Sequence, residues 1–142
     1  MSPQPQALDG AALMREFVKH SPFAQKVGLR LERIDPDTAE VVLPFAEANV
    51  TMGDVVHGGA ISTLVDVAAV AAAWSNHEIG ENPNGATVAL SVNYLGAARG
   101  SDLHAVGRVT RRGRRLCFCA VEVRDAGDEP IAQGLATYRF ST

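Results

Sequence analysis

The chain has 142 residues, 46% of them hydrophobic and 20% charged, with a formal net charge of -3. These are the proportions of a globular protein large enough to bury an ordinary core without staples, and the negative balance argues against a general nucleic-acid binder. Its two cysteines, Cys117 and Cys119, are separated by one residue in a strand-like run, a spacing that suits neither a structural disulfide nor a zinc site.

Met1 to Ala7 is polar and Pro-rich and is expected to fray; with neither a basic nor an apolar leader segment there, a cytoplasmic protein is expected. Asp9 offers an N-cap to AALMREFVKH, whose Leu13, Phe17 and Val18 form an apolar stripe, the pattern of a helix acting as a lid or flank. Ser21-Pro22 stops that helix or opens a short second turn. From Gly28 the period changes to two: Leu29, Leu31 and Ile34 alternate with charged residues, DPDT turns the chain, and AEVVLPF returns as the second strand of a hairpin. Residues 46–56 show no period and are read as a loop.

His57 to Asn76 is the long helix of the chain. Between Ala60 and Trp74 it has no Gly or Pro, and only Ser62, Thr63 and Asp66 interrupt the apolar run, so it is buried on most sides. It is too short for the roughly 18 to 20 apolar residues of a membrane span, and it carries an acid in its middle. NHEIGENPNG then stops it. Four strand candidates follow, over residues 86–95, 101–111, 114–124 and 130–140. Their connections leave no room for crossover helices, so the sheet is antiparallel. One α+β domain over residues 1–142 is expected, with the helix against one face of six strands.

A lone ionised Asp66 costs several kcal/mol to bury, so it must be hydrogen-bonded, protonated or facing a cavity. One reading has Ser62, Thr63 or a backbone amide brace it; the other makes it a catalytic acid, with Ala69, Val70 and Ala73 leaving room for a ligand. His57-Gly58-Gly59 stands where the helix begins, either as a tight turn or as free N–H groups at the positive end of the dipole, suited to an anion or an oxyanion. Gly58 and Asp66 are eight residues apart, or roughly 12 Å along the helix axis. Both can act on one small group only if amide and carboxylate come from different subunits across a two-fold axis. Arg108, Arg111, Arg112, Arg114 and Arg115 crowd one short segment, either as a solvated hairpin turn or, with Arg99, as an anion site.

The runs NVTMGDVVHGGAISTLVD, TVALSVNYLGAARG and RGRRL resemble the hotdog-fold thioesterases of the phenylacetic-acid-degradation, or PaaI-like, type from about Gly28 to the end of the chain. The resemblance implies a six-stranded antiparallel sheet wrapped around the central helix, in strand order 1-2-4-5-6-3, and hydrolysis of acyl-CoA thioesters. It makes Gly58 the amide donor that polarises the thioester carbonyl and Asp66 of the facing subunit the nucleophile or the base that activates water. Thr87 falls where relatives carry a Ser or Thr that assists the Asp, and His57 is the motif histidine. Many members have an Asn six residues before that histidine; here Thr51 holds the place, and Asn49, two residues further back, is the candidate. Gly59, Ser62, Arg99, Arg111 and Arg114 are expected on the substrate. The resemblance further implies homodimers joined through the third strand, often paired into homotetramers, with no metal or prosthetic group. A medium-chain or aryl acyl group is expected, against the alternative of a non-catalytic acyl-CoA-binding protein.

Overall fold

The computed structural model describes residues 9–141; the fraying expected of Met1 to Ala7 lies outside them. Helix α1 (Gly10–His20) begins where the Asp9 carboxylate accepts the Ala12 N–H at 2.8 Å. Helix α2 (Pro22–Val27) is the short second turn, capped by Ser21 and closed by Gly28 in the left-handed region at φ 93. Gly10 seats α1 on the rest of the fold, since a Cβ there would lie 1.8 Å from the Trp74 carbonyl oxygen. Only the bare backbone of glycine fits so close.

Strands β1 (Arg30–Asp35) and β2 (Thr38–Leu43) form the expected hairpin. The loop expected over residues 46–56 holds more structure than that: a 3-10 turn at Glu47–Asn49, then a small ribbon of β3 (Val50–Met52) and β4 (Val55–Val56) turning at Gly53, φ 62. Strands of three and two residues are too short to display an alternating pattern. Helix α3 (Gly58–Trp74) follows, then β5 (Asn84–Tyr94), β6 (Leu103–Arg112), β7 (Leu116–Asp125) and β8 (Pro130–Ser141).

The main sheet is antiparallel throughout, in the order β1-β2-β6-β7-β8-β5. Counted over its own six strands this is 1-2-4-5-6-3, as expected. Helix α3 touches all six. Six strands spaced about 4.8 Å apart would span roughly 24 Å if flat, twice the width of a helix, so contact with every strand requires the sheet to curl around α3. The helix makes that close fit possible with small side chains. Ala68, Ala69, Ala71 and Ala72 are buried with Leu64 and Val65, and a Cβ on Gly107 of β6 would meet the Ala68 carbonyl oxygen at 2.5 Å. None of the helices among the described residues is long and apolar enough to cross a membrane.

The two edges of this sheet differ. In β1 four of six residues are charged, and Arg30–Glu32 and Arg33–Asp35 form ion pairs along it, which discourages pairing with another strand. β5 carries no charge over its 11 residues and leaves Val88, Leu90 and Tyr94 exposed. Its unpaired N–H and C=O groups lie open to a partner.

Candidate active site

Asp66 leaves the apolar stripe of α3 on the side facing β5. It is half-buried, and the Thr87 hydroxyl donates to its Oδ1 at 2.7 Å. Neither residue expected to brace it does so: Ser62 is hydrogen-bonded to the Tyr94 hydroxyl, and Thr63 turns back to the Gly59 carbonyl at 2.8 Å. A Ser or Thr on a helix reaches its own preceding turn more readily than a carboxylate one turn on. A bulge between Thr87 and Ala89 interrupts the pairing of β5 with β8 at this point, and bulges often re-aim a side chain. Tyr138 stands behind the carboxylate. Burial holds its phenol above the ordinary tyrosine range, opposed by the bond it accepts from Trp74 Nε1 and reinforced by the charge of Asp66.

Gly58 occupies the far end of the same helix. His57 is the N-cap, and its Nδ1 accepts the Gly59 N–H at 2.8 Å, so the Gly59 amide is already engaged. The His57 N–H itself donates to the Asn49 carbonyl at 2.7 Å. That leaves the Gly58 N–H, which has no hydrogen-bond partner among the described residues. Asn49 does not turn its side chain toward this amide: its Nδ2 donates to the Val27 carbonyl at 2.6 Å, tying the loop to α2. Tyr94, not singled out by its position in the sequence, closes this end. Its hydroxyl donates to the Gly58 carbonyl at 2.8 Å, and its ring lies against the glycine.

The arginines separate into distinct roles. Arg99 bridges to Val55 beside the start of α3 and pairs with Asp54 at 3.5 Å. Arg111 lies opposite Phe118, on the sheet face turned away from α3 and Asp66, and Arg114 lies in the adjoining turn. One subunit therefore does not bring these two to the carboxylate. Arg112 serves the fold, bonding Asp37 at 2.8 Å and the Ala73 carbonyl near the end of α3 at 2.9 Å. Among the described residues no cluster of three His, Cys, Asp or Glu side chains is placed to hold a metal.

A curled six-stranded antiparallel sheet around one long helix makes this a hotdog-fold protein. The model of the thioesterase superfamily matches residues 53–132, the stretch that holds the glycine pair, Asp66 and Thr87. The medium/long-chain acyl-CoA thioesterase YigI of Escherichia coli is 31% identical, over 86% of this chain and 87% of its own. Among solved structures, conserved protein PA5202 of Pseudomonas aeruginosa is 34% identical with a TM-score of 0.78, covering 85% of this chain and 94% of that one. A thioesterase family protein of Silicibacter pomeroyi gives 0.83 at 26% identity, covering 92% and 97%. The chain belongs to the thioesterase superfamily and is a thioester hydrolase.

Thr87→Val is expected to lower kcat by about tenfold to a hundredfold, since a hydrogen bond to a charged group contributes about 1.5–3 kcal/mol, whereas Thr87→Ser should keep most of the rate. Equal rates for both variants in steady-state kinetics would remove the hydroxyl from the site.

Proposed function

We propose that the chain hydrolyses medium-chain or aryl acyl-CoA thioesters at two sites shared across a homodimer. The observation that carries this reading is the placement of the two groups along the free edge. Asp66 is bonded to Thr87 and Gly58 to Tyr94, so α3 and β5 run antiparallel with the carboxylate at one end and the free amide at the other. A two-fold axis crossing the edge at Ser91, which lies midway between Thr87 and Tyr94 once the bulge is counted, pairs β5 with its copy. It sets Thr87 of each chain opposite Tyr94 of the other, and Asp66 beside Gly58 of the partner subunit. The uncharged edge of β5 suits this pairing and the charged edge of β1 does not. The apolar side chains Leu116, Phe118 and Leu135 on the outer sheet face suit a second packing of dimers into a tetramer.

In such a site the thioester carbonyl oxygen accepts the Gly58 N–H, and the bond strengthens as the oxygen gains charge in the transition state. Asp66 either attacks the carbonyl carbon or takes a proton from an attacking water. In the first route the C–S bond breaks with release of the coenzyme A thiolate, which is protonated, and water opens the mixed anhydride to regenerate the carboxylate. In the second, hydroxide adds and the thiolate leaves directly. Thr87 fixes the orientation of the carboxylate in both. Arg99, exposed beside the amide end, meets the phosphates of coenzyme A in this reading. The activity of YigI supports the acyl-CoA assignment, and the free thiols of Cys117 and Cys119 suit the reducing cytoplasm. The purified chain is expected to release free thiol from decanoyl-CoA or phenylacetyl-CoA, followed with a thiol reagent; no release from any acyl-CoA would contradict the proposal.

A further inference from the structure

A cavity of about 370 Å3 opens between α1, the later turns of α3 and the start of β5. Val70 and Trp74 line it from the side of α3 that also carries Asp66, and Thr87, which lines it too, is the residue bonded to that carboxylate. Leu13 and Phe17 roof it from α1, and Tyr138 closes it from β8. The inner wall is fixed: Trp74 Nε1 donates to the Tyr138 hydroxyl at 2.9 Å, and the Trp74 and Phe140 rings meet edge to face at 4.9 Å. The roof is less enclosed, with Phe17 46% exposed. Among the described residues no Asp, Glu, Lys, Arg or His lines the cavity.

We infer that this cavity receives the acyl chain and that the Trp74–Tyr138 pair sets the longest chain accepted, a reading that rests on Asp66 acting on the thioester. From Asp66 to Trp74 the helix advances roughly 12 Å at about 1.5 Å per residue. An extended chain advances roughly 1.2 Å per bond, taking a third of the ~3.6 Å spanned by three backbone bonds, so the corridor holds at most about ten carbons. An apolar acyl group of up to that length fits the corridor. An acyl group ending in a second carboxylate is disfavoured, because its charge would be buried without a partner.

Trp74 is the sole tryptophan, so its fluorescence reports the inner end of the cavity. In the Asp66→Asn variant, used so that the ligand persists, saturating decanoyl-CoA is expected to shift Trp74 emission and saturating butyryl-CoA to leave it unmoved. Equal responses to the two ligands, or none to decanoyl-CoA, would overturn the inference. In the otherwise unaltered enzyme, Val70→Phe is expected to lower the ratio of kcat/KM for decanoyl-CoA over butyryl-CoA at least tenfold. Leu13→Phe makes the same test from the roof, should the helix variant fold poorly. An unchanged ratio in the folded variant would place the acyl chain elsewhere. An enzyme that releases no thiol contradicts the proposed hydrolysis, while the emission measurement still tests the cavity on its own.

Discussion

Asp66→Asn is expected to reduce thiol release by about a thousandfold, the order associated with losing a positioned nucleophile or base, while the protein stays folded. The substitution keeps the shape of the side chain and an oxygen able to accept the Thr87 hydroxyl, and it removes only the charge and the basicity. Among the described residues Asp66 has no ion-pair partner, so no opposing charge is left stranded. The thermal midpoint should move by no more than a few degrees, as for a half-buried substitution of like shape. Thiol release measured beside a melting curve separates the two effects. A rate within tenfold of the unaltered enzyme would remove Asp66 from the chemistry.

Gly58→Pro is expected to lower kcat by about a hundredfold to a thousandfold, the loss seen when one oxyanion donor is removed. Proline deletes the N–H itself, which a side-chain substitution cannot do. The position accepts it: Gly58 is the first residue of α3, where proline is favoured because that amide has no intrahelical partner. His57 before it is already extended at φ -61 and ψ 134, as a residue preceding proline must be. The added Cβ meets the Tyr94 ring at 3.4 Å, an ordinary contact. Gly58→Ala adds that same Cβ and keeps the N–H, so it should retain activity, and steady-state rates for the pair isolate the amide. Equal losses in both would assign the effect to crowding against Tyr94.

Local pattern made the framework legible and long-range contact made the rest opaque. The helix at Gly58–Trp74 is announced by its Ala, Val and Leu run, and the burial of most of its second half follows from having almost no polar face there. The four later strands are visible because Gly113, the 96–100 turn and the 125–129 turn punctuate alternating residues. β3 and β4 are invisible at three and two residues. The partner of Asp66 could not be read from helix spacing, which points to Ser62 and Thr63, because the hydroxyl that reaches it comes from a different element 21 residues on. The resemblance supplied Thr87 where periodicity could not. Tyr94 gave no signal, since nothing local shows that a strand residue will lie against Gly58. The arginine cluster misleads in another way: Arg111, Arg112 and Arg114 are sequence neighbours, yet Arg112 turns to Asp37 and Ala73 while Arg111 lies on the opposite face of the sheet.

The division of each site between two chains is the central claim, and mixing two inactive variants tests it most directly. Asp66→Asn and Gly58→Pro are each combined in homodimers that lack an intact site. When subunits are exchanged at equal amounts, about half of the dimers are mixed, and each of these holds one site with both an intact carboxylate and an intact amide. Thiol release should then rise to about a quarter of the unaltered rate, far above either parent. A mixture whose rate stays at the mean of the two parents after complete exchange would contradict a shared site and place Gly58 and Asp66 in separate roles.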